Sequence, residues 1–228
     1  MVGSPRMSRF VSYGRCALCG RRTSKAAMGR HLEKCAAEND ASRGKAGRLL
    51  RLRMEDAYSP IFWMDVEMKA GATLSELDDF LREIWLECCG HLSAFEIGGR
   101  SYSSAPYDGE RGMGVKIGEV LAPGTGFHHT YDFGTSTELD LRVTGERQGR
   151  IGDGPLRLLS RNEALEWECA VCGEPAAWVC GYCIYETESP FYCEAHASSE
   201  EHECGDEALL PVVNSPRMGV CGYTGPAS

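Results

Sequence analysis

The sequence predicts an α+β protein: a central antiparallel sheet with one main helix, flanked by two small zinc-binding modules. Nine of the twelve cysteines fall into two clusters, one near each end of the chain, with the spacing of metal ligands. Between them, short runs alternate apolar and polar residues, and one run has helical periodicity. A content of 43% hydrophobic and 25% charged residues is that of a folded chain, which sets disorder aside.

Residues 1–14 read as a flexible leader, with Gly3, Ser4 and Pro5 and no apolar period. Residues 15–37 carry Cys16-x2-Cys19-x11-His31-x3-Cys35, a zinc-finger framework. A short helix over residues 25–34 would bring His31 and Cys35 onto one face, a turn apart. Residues 38–48 are a linker, and the α+β domain follows over 49–160. Leu50, Leu52 and Met54, then Phe62, Met64, Val66 and Met68, alternate with polar partners and predict two half-buried strands.

Thr73 and Glu76 form a capping box ahead of a helical face of Leu74, Leu77, Leu81, Ile84 and Cys88, which Gly90 ends. On this pattern Cys88 and Cys89 are buried helix residues. Phe95 and Ile97, Gly98-Gly99 and Tyr102 predict a tight hairpin, with a short helix expected near residues 115–121. A second hairpin pairs Phe127, His129, Tyr131 and Phe133 with Leu139, Leu141 and Val143 across a Gly-Thr-Ser turn. One more strand is expected over residues 156–159.

The second cluster occupies residues 165–208, and residues 209–228 form a tail expected to pack on the body. Its donors are Cys169, Cys172, Cys180, Cys183, Cys193, His196, His202 and Cys204, enough for two four-coordinate ions. His202-x-Cys204 departs from common ligand spacing, and Cys221 is the substitute nearest to hand. With the first cluster the count is three zinc ions. Each has four protein ligands and no open position, so the metals are expected to be structural.

No charged start leads into an apolar run, and no stretch approaches 18 apolar residues, so neither a signal peptide nor a membrane span is expected. That reading places the chain in the cytoplasm, where paired thiols interleaved with histidines favour metal over disulfides. Charge is unevenly spread. Residues 1–53 hold thirteen Lys/Arg against three acids, whereas the whole chain carries −9. Arg21, Arg22, Lys25, Arg30 and Lys34 around the first cluster are therefore candidates for phosphate contacts with nucleic acid. The second cluster lies among Glu186, Glu188, Glu194, Glu200, Glu201, Glu203, Asp206 and Glu207, a setting for a protein partner.

The strings PIFWMDVEM, TLSELDDFLREIW, HLSAFEIGG and YDFG, over about residues 45–150, resemble the plasmid open-reading-frame-three-like family, also labelled insertion-element passenger proteins of TnpR type. The resemblance implies an α+β fold and a plasmid- or transposon-associated setting, and it brings no established reaction. In the family, YDFG leads into a Trp-Glu-His-like segment, where this chain reads TSTELD. The second cluster resembles a B-box or RING-like cross-brace. That likeness implies Cys169, Cys172, Cys193 and His196 on one ion and Cys180, Cys183, His202 and Cys204 on the other; sequential pairing is the alternative.

For catalysis the candidates are His128 and Asp132, which would share one side of a regular strand, and His91. The bland alternative puts His128 on a solvated sheet face and His129 in a polar niche of the core. Phosphate-loop, nucleophile-elbow and His-Glu-x-x-His patterns are absent. The reading is a zinc-binding modular binding or scaffold protein that contacts nucleic acid through its basic finger. The alternative is a hydrolase or nucleic-acid-processing enzyme with a pocket near the YDFG hairpin.

Overall fold

In the computed structural model, residues 12–187, 189–198, 202 and 204–226 are described. The leader up to residue 11 lies outside them, as do Glu188, Glu200, Glu201 and Glu203 of the acidic set. The first described strand starts inside the segment read as leader. Strand β1 (Tyr13–Cys16) turns into β2 (Arg22–Ser24) and then helix α1 (Lys25–Glu38). The helix runs four residues past the predicted end, and Asn39 caps it by donating to the Cys35 carbonyl from both its amide and its side chain.

The protein is α+β. Strands β3 (Gly47–Asp56), β4 (Trp63–Lys69), β5 (Ser93–Ile97), β6 (Arg100–Ser103), β7 (Arg111–Gly112), β8 (Gly126–Tyr131), β9 (Thr137–Gly149) and β10 (Leu156–Asn162) join β1 and β2 in one sheet. Its order is β2-β1-β10-β4-β3-β9-β8-β5-β6-β7. The sheet is mixed, not wholly antiparallel as expected, because the short β7 pairs with β6 in parallel. Gly98 and Gly99 both take positive φ, 56° and 72°, the turn that matches strand twist in a two-residue hairpin.

Helix α2 (Leu74–Leu81) starts with the expected capping box, Thr73 Oγ1 accepting from the Glu76 amide and Glu76 accepting from the Thr73 amide. It then widens into a π-helical turn (Arg82–Leu86) that ends before Cys88. Leu74, Leu77, Leu81 and Trp85 pack with Leu50, Leu52, Met54, Met64, Val66 and Met68 in the main core. A short helix α3 (Ile117–Val120) seals one end.

The opposite sheet face is covered too, which corrects the half-buried reading of β4. Trp63 and Leu159 pack with Met28, Leu32, Ala36, Cys16 and Cys35 of the finger. Asp65 and Glu67 consequently lie only 1% and 2% exposed. Buried carboxylates need partners. Asp65 accepts a two-pronged bond from Arg53 and a third from Ser160. Glu67 accepts from Arg147 and Arg157, which also donate to the Ala36 carbonyl at the end of α1. Cations at a helix C-terminus complement its dipole, so these two arginines fasten finger to sheet.

The C-terminal part forms a small sheet of β11 (Trp178–Cys180), β12 (Phe191–Tyr192) and β13 (Leu209–Pro211), with helix α4 (Glu194–Ala197) beside it. Beyond β13 the tail returns to the main body: Ser215 Oγ donates to the Trp85 carbonyl, and Arg217 and Tyr223 are buried.

Candidate metal centres

Two of the Cys-x2-Cys knuckles have the same backbone. At the first, the Cys16 carbonyl accepts from Gly20 and the Cys16 amide donates to Arg21; at the second, Cys169 bonds Gly173 and Glu174 in the same two ways. Gly20 and Gly173 both sit at positive φ, near 73°, where other side chains would be strained. These turns aim two thiols at one point. Helix α1 adds His31 and Cys35 from successive turns, completing a group of Cys16, Cys19, His31 and Cys35.

The C-terminal donors converge in crossed pairs. Cys169 and Cys172 meet Cys193 and His196, whereas Cys180 and Cys183 meet His202 and Cys204. Each group has donor atoms within 4.8 Å of one another. His202 and Cys204 are thus brought into the set despite their spacing, and Cys221 is not.

A fourth group, which the sequence reading missed, joins Cys88, Cys89 and His91 to Cys221. Cys88 and Cys89 are not helix residues, because the π-helical turn ends at Leu86 and releases them into a loop. Four groups of described residues, one more than the sequence expectation of three ions used, could hold a metal. Their dimensions suit zinc. Zn–S of about 2.3 Å and Zn–N of about 2.0–2.1 Å at the tetrahedral angle set edges of roughly 3.8 Å between sulfurs and roughly 3.6 Å from sulfur to nitrogen. Cys16–Cys35, Cys172–Cys193, Cys88–Cys89 and Cys89–Cys221 each span 3.8 Å. Cys19–His31 spans 3.4 Å and Cys169–His196 3.6 Å. These separations are far above the roughly 2.05 Å of a disulfide, and all twelve cysteines are free thiols.

Histidine tautomers agree with ligation. His202 is buried, with Nδ1 against the Ala197 carbonyl at 3.0 Å. That bond leaves the Nε2 lone pair for the thiol group that His202 shares with Cys180, Cys183 and Cys204. A carbonyl holding one ring nitrogen so that the other can bind metal is a common outer-shell arrangement.

Within each group the thiols split. Burial works against ionising Cys169, yet the amides of Cys193, Cys172 and Val171 overcome it and bring the thiol down to about 6. Cys180 falls to about 7 in the same way, burial being outweighed by the Cys183 amide and His202. Their neighbours move up: Cys204 to about 12 through its bond to Cys183, and Cys35 to about 12 through burial and then its thiol neighbours. One thiolate suppresses the next, and a divalent cation relieves the conflict.

The catalytic candidates do not assemble. β8 stops at Tyr131, and Asp132 turns to φ 65°, so His128 and Asp132 do not share a strand face. This turn also leaves Phe133 exposed instead of in the predicted alternation. His128 bonds Asp140 at 2.7 Å, with side chains 68% and 56% exposed. His129 is buried, donating from Nε2 to Asp78 at 2.7 Å; burial holds it below the usual histidine range despite that carboxylate. His91 and Asp132 belong to the fourth group, as ligand candidate and neighbour.

Of the basic candidates, Arg22 pairs with Glu163, Lys25 with Glu55 and Lys34 with Glu38. Arg21 and Arg30 are exposed and make no ion pair among the described residues. Folding also consumes part of the N-terminal excess, since Arg48 and Arg53 face Glu146 and Asp65.

No family model matches the chain, and no curated protein matches it. A solved structure described as "Protein of Unknown Function MM3350 from Methanosarcina mazei Go1" is similar over 50% of this chain and 68% of its own, at 16% identity and a TM-score of 0.44. Fold and sites together define an α+β protein with, among the described residues, four Cys/His groups able to hold metal. No helix among the described residues is long and apolar enough to cross a membrane.

Proposed function

We propose that this is a zinc-stapled binding or scaffold protein whose metals hold shape. The observation that carries the reading is that each donor group supplies four protein ligands, the closed arrangement of structural zinc. Structural zinc contributes on the order of 10 kcal/mol to segments too small for a core of their own. Arg21 and Arg30 on the finger support contact with phosphate backbones without base readout. The acidic C-terminal module suits a protein partner. A mobile-element setting rests on the family resemblance of the central strings alone, and a reducing compartment such as the cytosol would keep the thiols available.

The test is a duplex DNA titration of the zinc-loaded full chain at two salt concentrations, with Arg21→Glu/Arg30→Glu beside it. The expected result is salt-sensitive binding that the double variant loses while its zinc content stays unchanged. Absence of binding at low salt removes the nucleic-acid role.

One observation favours a second reading, an enzyme. Beside the YDFG hairpin, an open groove of about 570 Å³ is lined by Arg53, Glu55, His128, Asp140 and Arg142. Solvent screens the exposed His128–Asp140 pair, so this reading stands second. A phosphodiesterase or esterase activity abolished by His128→Ala would raise it.

A further inference from the structure

The group formed by Cys88, Cys89, His91 and Cys221 differs in kind from the other three. Three of its donors come from one loop, and the fourth arrives from the tail, 132 positions away from Cys89. Its sulfurs have tetrahedral edges, 3.8 Å for Cys88–Cys89 and 3.8 Å for Cys89–Cys221, and His91 Nε2 lies 3.0 and 3.3 Å from Cys89 and Cys221.

The loop is preformed around Tyr131. The Tyr131 hydroxyl accepts from the amides of Cys88 and His91 and donates to Glu87, which in turn accepts from the Gly90 amide. Arg82 donates to the His91 carbonyl and to Ser93, holding the loop's far side. A second layer surrounds the donors. Buried Arg217 donates to Cys88 Sγ at 3.5 Å and to Asp132 at 2.6 Å, and Asp132 lies 3.4 Å from His91 Nε2. Three thiolates and a neutral imidazole around a divalent ion leave one net negative charge, and Arg217, shared with Asp132, is the cation beside it.

Backbone strain marks the same place. Among the described residues, only two non-glycine residues have positive φ: Asp132 at 65° and Cys221 at 51°. One is a ligand candidate and the other its neighbour. Strained conformations persist where surrounding structure over-determines them, and they concentrate at functional sites.

We infer that Cys88, Cys89, His91 and Cys221 form a fourth zinc-binding centre that latches the C-terminal tail onto the corner made by Tyr131 and Asp132. This rests on the proposed zinc-stapled reading and adds what the fourth ion does, which is to fix the tail to the body. The YDFG string thereby gains a physical role, in which Tyr131 shapes the ligand loop and Asp132 holds the tail's arginine beside it.

The experiment counts zinc per full-length chain by native mass spectrometry, with hydrogen exchange as a second readout. Four ions are expected in the unmodified protein and three in Cys89→Ser and in Cys221→Ser, with protection lost over residues 212–226 and retained in the finger. His91→Ala should hold three and His91→Cys four, which separates loss of a donor from loss of fold. Three ions in the unmodified protein, unchanged by Cys89→Ser and Cys221→Ser, would overturn the inference and leave the other three centres intact. A Cys89–Cys221 disulfide found by peptide mapping would overturn it as well. Loss of all zinc from the unmodified protein would instead defeat the broader reading of a zinc-stapled chain.

Discussion

Arg217, from the tail, meets Asp132, from the corner after β8, at 2.6 Å, and the arginine side chain has no exposed surface. Its Nη1 donates to the Thr135 carbonyl and Thr137 Oγ1, and its guanidinium lies 4.9 Å over the Tyr131 ring. Removing one member of a buried pair leaves the other charge uncompensated. Arg217→Leu should therefore cost about 3–5 kcal/mol in urea unfolding of the zinc-loaded protein. Combined with Asp132→Asn, the loss should be smaller than the sum of the single losses. Additive losses would show that the two groups do not depend on one another.

Gly14 tests how the finger is seated. A Cβ there would lie 2.4 Å from the Arg161 carbonyl oxygen and 2.6 Å from the Trp63 ring. The carbonyl belongs to the paired strand β10, and Trp63 is fully buried. Gly14→Ala should thus separate β1 from β10, seen as faster hydrogen exchange over residues 13–38 and a red shift of tryptophan emission. Zinc content should hold, because the four ligands of that centre are untouched.

Asp56 should carry a pH signature. Burial above all pushes its carboxyl up to about 6, with Asp140 and Glu138 adding to the rise and the amides of Ser59 and Tyr58 opposing it. The folded chain then holds a proton that the unfolded chain releases near the ordinary value of 3.8. Stability due to this group falls as pH rises between those values and is fully lost above the upper one. Asp56→Asn keeps an acceptor for Ser59 and removes the penalty, a gain on the order of 1 kcal/mol at pH 7 after allowance for screening. The gain should shrink toward pH 5; a gain independent of pH would exclude the charge as its cause.

Chelation should be stepwise. Cys180, Cys183 and His202 are buried, whereas Cys89 and Cys221 are exposed. With limiting chelator and a thiol-alkylating agent, Cys89 and Cys221 should be labelled first and Cys180 and Cys183 last, as read by peptide mass mapping. Simultaneous labelling would mean that the centres release their ions together.

Much of this was legible in the sequence because the signals are local. Knuckles with two-residue spacing, a capping box and a Gly-Gly turn are decided by neighbours, and they appear where the sequence put them. What escaped depends on distant chain segments. The burial of Asp65 and Glu67 follows from a helix that folds over them from residues 25–38. The continuation of helical periodicity to Cys88 hid a π-helical turn, since side-chain pattern does not register how the backbone widens. Cys221 looked like a spare for the acidic module because its three co-ligands are far off in the chain, with even His91 separated from it by 130 positions. Linear charge counts are blind to the same thing, as Arg22, Arg48 and Arg53 of the basic end pair with Glu163, Glu146 and Asp65 from beyond it.

Trp63 and Glu67 rest beneath the finger, and Arg147 and Arg157 reach from the sheet to its helix. A shortened chain beginning after residue 45 would uncover an indole, a carboxylate and two guanidinium groups together, so its insolubility would say nothing about what the finger recognises. Dissection of this molecule calls for exchanging single surface arginines in the intact polypeptide.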